Sequence, residues 1–249
     1  MSDILVIGGG IIGLLTAREL AQAGAKVTLV EMGETGRESS WAGGGIISPL
    51  YPWRYADSVT ALASWSQRIY PGLCAELHDE TGIDPELTPS GLLILDTEEL
   101  EQALAWAGQH QAQMQVLDGE ALHIDEPELG PRPPQALRMP AVAQVRNPRL
   151  VKAARRALEG RIVLREQEEV AEFLMEQGRV RGVRSSKGEI LADQVVICTG
   201  AWTAKLLEQL GTRPEIEPVR GQMMLFLARP GQIRHITLYR DRYVIPRQD

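Results

Sequence analysis

The sequence predicts an α/β protein of two domains, and three observations carry that prediction. The chain opens on a short apolar run, Ile4–Ile7, with glycines at 8, 9, 10 and 13 directly after it and then residues at helical spacing. A second apolar run, Val195–Cys198, ends on Thr199 and Gly200. Between them lie short segments joined by Gln-Gly and Lys-Gly turns. Continuous apolar runs read as buried parallel strands, and Gly-containing turns between short segments read as hairpins. The 249 residues, 44% hydrophobic and 24% charged, suffice for one large or two modest domains.

The formal charge of −7 argues against nucleic acid or anionic lipid as a partner. Two cysteines, Cys74 and Cys198, stand far apart without a C-x-x-C, which disfavours a disulfide scaffold or a zinc site and fits a reducing cytoplasm. Ile4–Ile7 is too short for a signal sequence or a membrane span, and Met1-Ser2-Asp3 carries no basic charge. The reading is therefore a soluble, cytoplasmic protein with no stable membrane association.

The first strand, Ile4–Ile7, leads into Gly8-x-Gly10-x-x-Gly13. Ile12, Leu15, Leu20 and Ala23 then follow a helical repeat, Gly24 closes the helix, and Lys26–Val30 is the next strand. In such a unit the first glycine permits the tight turn, the second lets a pyrophosphate approach the backbone, and the third lets helix and strand pack closely. The free N–H groups and positive dipole end of the helix N-terminus face the phosphates. Glu31 ends the second strand eighteen residues after Gly13, where an acid accepts both ribose hydroxyls of an adenosine and repels a 2′-phosphate. Strand, glycines, helix, strand and acid in register predict a Rossmann-like domain holding an adenine dinucleotide. They do not separate NAD from FAD.

A second glycine triplet follows in "MGETGRESSWAGGGIISPLYPWRY". A segment this long and irregular is expected to be a functional loop. Ser39 and Ser40 offer hydroxyls to phosphate or ribitol, and Gly43, Gly44 and Gly45 offer bare N–H groups against which a flat ring can lie. Trp41, Ile46, Ile47 and Leu50 are poor residues for an exposed linker.

Further along, a long helix is predicted over 56–81, with a kink at Pro71. Strands are predicted over 87–96 and 137–145 around a helix near 97–113, with the proline-rich "DEPELGPRPPQ" as a loop. Glu168–Glu176, Arg179–Ser185 and Glu189–Leu191 read as a three-stranded meander, Val195–Cys198 as a separate parallel strand, and a helix then runs through Leu210. Met223 and Met224 read as core. The predicted dinucleotide domain is discontinuous, 1–85 and 146–215, and an α+β substrate domain with a mixed or antiparallel sheet takes 86–145 and 216–249.

Gly8–Gly13, Glu31 and "RESSWAGGGI" resemble the flavin-binding signature of the D-amino acid oxidase superfamily, and within it the bacterial glycine oxidases of thiamine thiazole synthesis. The resemblance continues through "VRNPRLVKA", the meander, "EPVRGQM" and "RYVIPR". It implies FAD, bound non-covalently, that takes hydride from the α-carbon of a small amino acid. Glycine, sarcosine and small D-amino acids are the implied substrates, with O2 as acceptor giving H2O2 and an imine as product. The implied cofactor contacts are Gly8, Gly10, Ile11, Ile12, Gly13, Glu31, Met32, Ser39, Ser40, Gly43, Gly44, Gly45, Ile46, Val170 through its backbone, Thr199, Gly200 and Trp202. Tyr243 of "RYVIPR" is the implied substrate contact, its hydroxyl on the substrate carboxylate.

His78, His110, His123 and His235 form no motif with serine, cysteine or carboxylates, and each is expected to be structural or at the surface. Hydride transfer from a neutral amine needs no strong protein base, so no catalytic side chain is expected. No metal is expected, and association between copies is left open. The resemblance implies chain beyond Asp249, with an arginine for the substrate carboxylate and a last glycine-rich strand–helix turn near the flavin ring; these 249 residues are expected to be part of a longer enzyme. Two alternatives remain open at this stage: a D-amino acid or sarcosine dehydrogenase with another electron acceptor, and a non-catalytic fragment that only binds nucleotide.

Overall fold

The structure is a computed structural model, describing residues 2–130 and 133–248. Pro131 and Arg132 of the predicted proline-rich loop lie outside the described residues. In the first third of the chain come β1 (Ser2–Ile7), α1 (Ile11–Gln22), β2 (Val27–Val30), α2 (Ser39–Ala42) and α3 (Asp57–Thr81). The middle holds β3 (Leu92–Ile94), α4 (Leu100–His110), β4 (Gln115–Asp118), α5 (Gly119–Asp125), β5 (Gln135–Met139) and α6 (Asn147–Ala157). The last third holds β6 (Val163–Arg165), β7 (Val170–Glu176), β8 (Arg179–Ser185), β9 (Gly188–Ile197), α7 (Thr203–Leu207), β10 (Ile236–Tyr239) and β11 (Arg242–Val244). No helix among the described residues is long and apolar enough to cross a membrane.

The chain divides into two compact units: residues 1–43, 75–85 and 147–223, and residues 44–74, 86–146 and 224–249. Residues 44–74, assigned by the sequence reading to the dinucleotide domain, pack instead with the second unit. The reason is the burial of Tyr51. Tyr51 is buried among Leu92, Leu137, Ile236 and Leu238, and Gln67 donates to the Ile47 carbonyl at 2.8 Å.

The first unit is built on a six-stranded sheet of order β6-β2-β1-β9-β8-β7. β1 pairs in parallel with β2 (Ile4 opposite Val27) and with β9 (Ile4 opposite Gln194). Two features depart from the sequence reading. β6 is a fourth parallel strand, paired with β2, that three residues, Val163–Arg165, were too few to announce. The predicted strands Glu189–Leu191 and Val195–Cys198 are one strand, β9. Its first residues pair antiparallel with β8, and from Ala192 onward it runs parallel to β1. Asp193 and Gln194 look like a break in the apolar pattern, but the backbone stays extended and the partner changes instead.

α1 and α6 bury their apolar faces together with β1 and β2, bringing Leu14, Ala17, Val151, Ala154 and Leu158 onto Val6, Val27 and Leu29. Arg18 sits on the inward side of α1, 2% exposed, and its guanidinium reaches Glu76 at 2.9 Å and Glu80 at 2.6 Å near the end of α3.

The second unit carries a five-stranded sheet of order β11-β10-β3-β5-β4, in which only β10 and β3 run parallel. The predicted strand over 87–96 shortens to β3 and the helix over 97–113 to α4, the strand predicted over 137–145 is found at Gln135–Met139 as β5, and β4 and α5 are additions. The Tyr51 hydroxyl donates to the Asp96 carboxylate at 2.7 Å, and Asp96 also accepts from the Arg240 amide at 3.2 Å, which fixes the β10–β11 turn beside the end of β3. Burial first, then the Asp96 carboxylate, pushes the Tyr51 phenol well above its ordinary range.

Met223 and Met224, expected in the core, are 42% and 68% exposed. They fall within residues 212–229, which form no regular element.

Arg18 gives a stability prediction. Its two main partners are 62% and 22% exposed, so removing it strands no fully buried carboxylate. Arg18→Ala is expected to cost about 1–3 kcal/mol in urea unfolding, below the figure for breaking a fully buried pair, and Arg18→Met is expected to recover much of it through packing.

Candidate dinucleotide site

Within the first unit, the C-terminal ends of β1 and β9 meet at the glycine turn. Gly8 has φ +104°, and a Cβ on it would stand 2.4 Å from the Cys198 carbonyl oxygen. A Cβ on Gly13 would stand 1.9 Å from the Gly8 carbonyl oxygen. Neither position admits another residue without moving backbone. Gly10 caps α1 in an extended conformation without a side-chain cap bond. The Ile11 amide donates to Ser40 Oγ at 2.9 Å, which leaves the serine's own proton to donate. Among the described residues the amides of Ile12 and Gly13 find no acceptor, and Ile12 is 66% exposed. Two unmet donors at the positive end of a twelve-residue helix suit a phosphate.

Glu31 stands beside this turn. Its Oε2 accepts from the Gly9 amide at 2.7 Å and its Oε1 from the Gly33 amide at 2.8 Å. Each oxygen keeps a further lone pair, so the carboxylate is oriented without being used up. Gly9, given no role by the sequence reading, makes this approach possible. A Cβ there would lie 2.5 Å from Thr35 Cγ2 and 3.0 Å from Glu31 Cβ. The signal available in the sequence was that three glycines stand in a row where the fingerprint needs two.

The loop after Glu31 is pinned from two sides. The Gly36 amide donates to the Gly9 carbonyl at 2.7 Å. The amide and hydroxyl of Thr35 both donate to Glu166 Oε1, at 2.8 and 2.7 Å, and Arg155 donates to Glu166 Oε2 at 2.9 Å. Burial pushes the Glu166 carboxyl up, but Arg155 and the two Thr35 donors outweigh it and hold the group at about 2. Nothing local in the sequence points to Glu166, because its partner Thr35 is 131 residues away.

The adenosine-side candidates lie along the same edge. The Glu31 amide donates to the Arg165 carbonyl and the Glu168 amide donates to the Glu31 carbonyl, both at 2.9 Å. Residues 165–168 thus run beside Glu31 and deliver Val170 to the start of β7, opposite Ser185. Buried Glu168 accepts from Arg165 and from the Ser185 hydroxyl, which holds this turn. Met32 is exposed next to Glu31. At the end of β9, Gly200 takes φ +52° and the Trp202 amide donates to the Thr199 carbonyl at 3.0 Å, starting a short helix with a half-exposed Trp202.

The second glycine triplet straddles the boundary between the units, which falls after Gly43. In the first unit, Ser39 and Ser40 open the short α2, where the sequence reading has irregular loop, and Arg37 lies over the Trp41 ring at 4.6 Å. A Cβ on Gly43 would stand 2.7 Å from Asn147 Nδ2 at the start of α6. In the second unit, a Cβ on Gly44 would meet Ile245 Cδ1 at 2.7 Å and Tyr243 Cε2 at 3.0 Å. Gly45 takes φ +72°, and its carbonyl accepts from the Val145 amide at 2.9 Å. Ile46 bridges to Gln144. Arg247 donates to the Gly44 carbonyl at 2.9 Å and to Gln144 Oε1 at 2.7 Å, a clamp the sequence reading missed. Tyr243, on β11 opposite Leu238, is thus held against Gly44 within its own unit.

His235 and His110 have their neighbours within the second unit. His235 Nδ1 lies 2.8 Å from the buried carboxylate of Glu126, which also accepts from the Arg234 and His235 amides. His110 packs beside Trp106 in the second unit.

A parallel sheet whose first turn is glycine, with unmet helix amides and an oriented acid beside it, fits the phosphates and ribose of an adenine dinucleotide. The family described as DAO, FAD dependent oxidoreductase, matches residues 3–249, and the chain belongs to that family. It is 48% identical to glycine oxidase of Pseudomonas aeruginosa over 248 residues, covering 99% of this chain and 68% of that protein. It is 30% identical to the bifunctional protein ThiO/ThiG of Nostoc over 255 residues, covering 99% of this chain and 38% of that protein. Among solved structures, glycine oxidase from Geobacillus kaustophilus superposes with a TM-score of 0.85 at 27% identity, covering 98% of this chain and 68% of that one.

Two predictions follow from this geometry. Gly9→Ala is expected to weaken FAD binding by about tenfold or more, the equivalent of one charge-assisted hydrogen bond, as measured by flavin fluorescence on dilution. Glu166→Gln is expected to lose on the order of 1 kcal/mol at pH 7, a modest figure because solvent screens the Arg155 pair. The folded carboxyl lies below its unfolded value, so its contribution is full above the ordinary value near 4.5 and fades as pH falls toward about 2. Urea unfolding of both proteins should therefore show their stability gap shrinking below pH 4.5.

Proposed function

We propose that the protein oxidises a small amino acid, with glycine, sarcosine or a small D-amino acid as substrate, at its carbon–nitrogen bond. FAD is bound non-covalently, O2 is the electron acceptor, H2O2 is released, and the imine product is available to thiamine thiazole synthesis. The observation that carries this reading is the 48% identity to glycine oxidase, which spans both the nucleotide cradle and the Arg242–Arg247 segment. The resemblance to a ThiO/ThiG protein supports the thiamine connection.

In this reading residues 1–43, 75–85 and 147–223 form the FAD-binding domain, and the other unit supplies substrate contacts. The Ile12 and Gly13 amides and the Ser40 hydroxyl hold the pyrophosphate, the Glu31 carboxylate accepts from the ribose hydroxyls, and the Val170 backbone meets the adenine. Ile11, Met32, Ser39, Gly43–Ile46, Thr199, Gly200 and Trp202 complete the cofactor contacts. Bound FAD supplies a hydride acceptor for the substrate α-carbon. Tyr243 donates its hydroxyl to the substrate carboxylate and so limits how the α-carbon can be presented. None of the four histidines is assigned a proton, since the α-hydrogen leaves with its electron pair.

The test begins with colour. The purified protein is expected to be yellow, to release FAD on heating, to bleach anaerobically with glycine and to recolour in air with peroxide formation. Release of NAD or of FMN alone would overturn the cofactor assignment. Bleaching that air does not reverse, but a quinone does, would replace the oxidase by a dehydrogenase. A colourless protein that binds only nucleotide would leave a non-catalytic fragment. Tyr243→Phe is expected to raise KM with a modest change in kcat, because a carboxylate contact made equally in ground and transition states is uniform binding. Glu31→Lys is expected to weaken FAD by about 2–4 kcal/mol through loss of two charge-assisted bonds.

A further inference from the structure

A cavity of about 430 Å³ lies wholly inside the second unit and includes none of the cofactor or substrate candidates. One wall is a face of α3. Thr60, Ala63, Ser64, Gln67 and Arg68 line it at the i, i+3, i+4, i+7, i+8 spacing that a helix normally fills with apolar residues to bury against its neighbours. Here that stripe carries two hydroxyls, an amide and a guanidinium. Trp106 and His110, one turn apart on α4, form a second wall, and Met139 and Val142 add apolar surface.

The charged groups of the lining give the cavity a chemical preference. Among the described residues no carboxylate lines it, whereas Arg68 does. Among the described residues Arg68 has no ion-pair partner. His110 lines the cavity with its ring, while its Nε2 is turned into the protein, 3.4 Å from Asp57 Oδ1. Trp106 donates its indole N–H to Thr60 Oγ1 at 3.3 Å, which holds the ring in place. The volume equals on the order of a dozen water molecules, the range of a small organic ligand.

We propose that this cavity binds a small organic carboxylate with a flat apolar body. The carboxylate is taken by the Arg68 guanidinium, with the Ser64 hydroxyl as a further hydrogen-bonding group, and the body rests against Trp106, Met139 and Val142. The fork of a guanidinium suits a carboxylate, and a concave apolar wall with a few convergent polar groups is the usual form of a small-molecule site.

The test is calorimetric titration of the flavin-loaded protein with benzoate, and with benzamide as its uncharged isostere. A site is expected whose affinity falls about tenfold or more in Arg68→Gln, the loss of a charge-assisted contact, and which disappears in Ser64→Leu, where the added side chain fills the cavity. Arg68 is exposed, so its variant keeps the fold, which the melting temperature checks. The same site is expected to persist in Tyr243→Phe and to bind benzamide at least about tenfold more weakly. Absence of benzoate binding, equal binding of benzamide, indifference to Arg68→Gln, or loss of the site in Tyr243→Phe would each overturn the proposal.

Discussion

The nucleotide end of the first unit depends on how closely backbone approaches backbone at Gly8. There β1 ends, α1 begins and β9 arrives, and the available space is smaller than a methyl group. A Cβ on Gly13 would lie within bonding reach of the Gly8 carbonyl oxygen, and one on Gly8 would strike Cys198. This contact sets the angle at which α1 leaves the sheet. It therefore sets where the unmet Ile12 and Gly13 amides point. Large apolar side chains elsewhere in the unit fill space, but they could be exchanged for others of similar volume. The glycines cannot be exchanged without shifting backbone.

The two glycine triplets do different work with the same property. In the first, bare backbone lets two strands, a helix and an acid converge. In the second, Gly43 admits the Asn147 side chain and Gly44 admits Tyr243 and Ile245 within their respective units. Around the first triplet, polar groups are then fixed by further polar groups. Glu31 is held by two amides, and the loop behind it by Thr35, Glu166 and Arg155. A ligand meeting such acceptors has little reorganisation to impose on them, and this preorganisation favours affinity more than extra contact area would.

The parts of this architecture legible in the sequence were those with short-range signatures. The strand–glycine–helix–strand unit, Glu31 and the meander turns each follow from spacing within about thirty residues. The parts that were not legible depend on long-range pairing. β6 is three residues long and owes its existence to β2. Residues 44–74 join the second unit because Tyr51 finds its core there, which no local pattern announces. Glu166 and Arg247 act on residues more than a hundred positions away, so only the fold brings them into view. Met223 and Met224 failed for the opposite reason: their hydrophobicity is plain, but burial needs a neighbour as well as an apolar side chain.

β9 has a mechanical consequence. Because one uninterrupted strand pairs with β8 along its first residues and with β1 along the rest, the meander is not an appendage that can open while the parallel strands stay closed. Losing register at Gly188–Leu191 would pull directly on Ala192–Ile197 and on the Cys198 amide bonded to Ile7. The two kinds of sheet should thus open as a single cooperative unit, and their amide protons should exchange with solvent at similar free energies rather than in two separate classes.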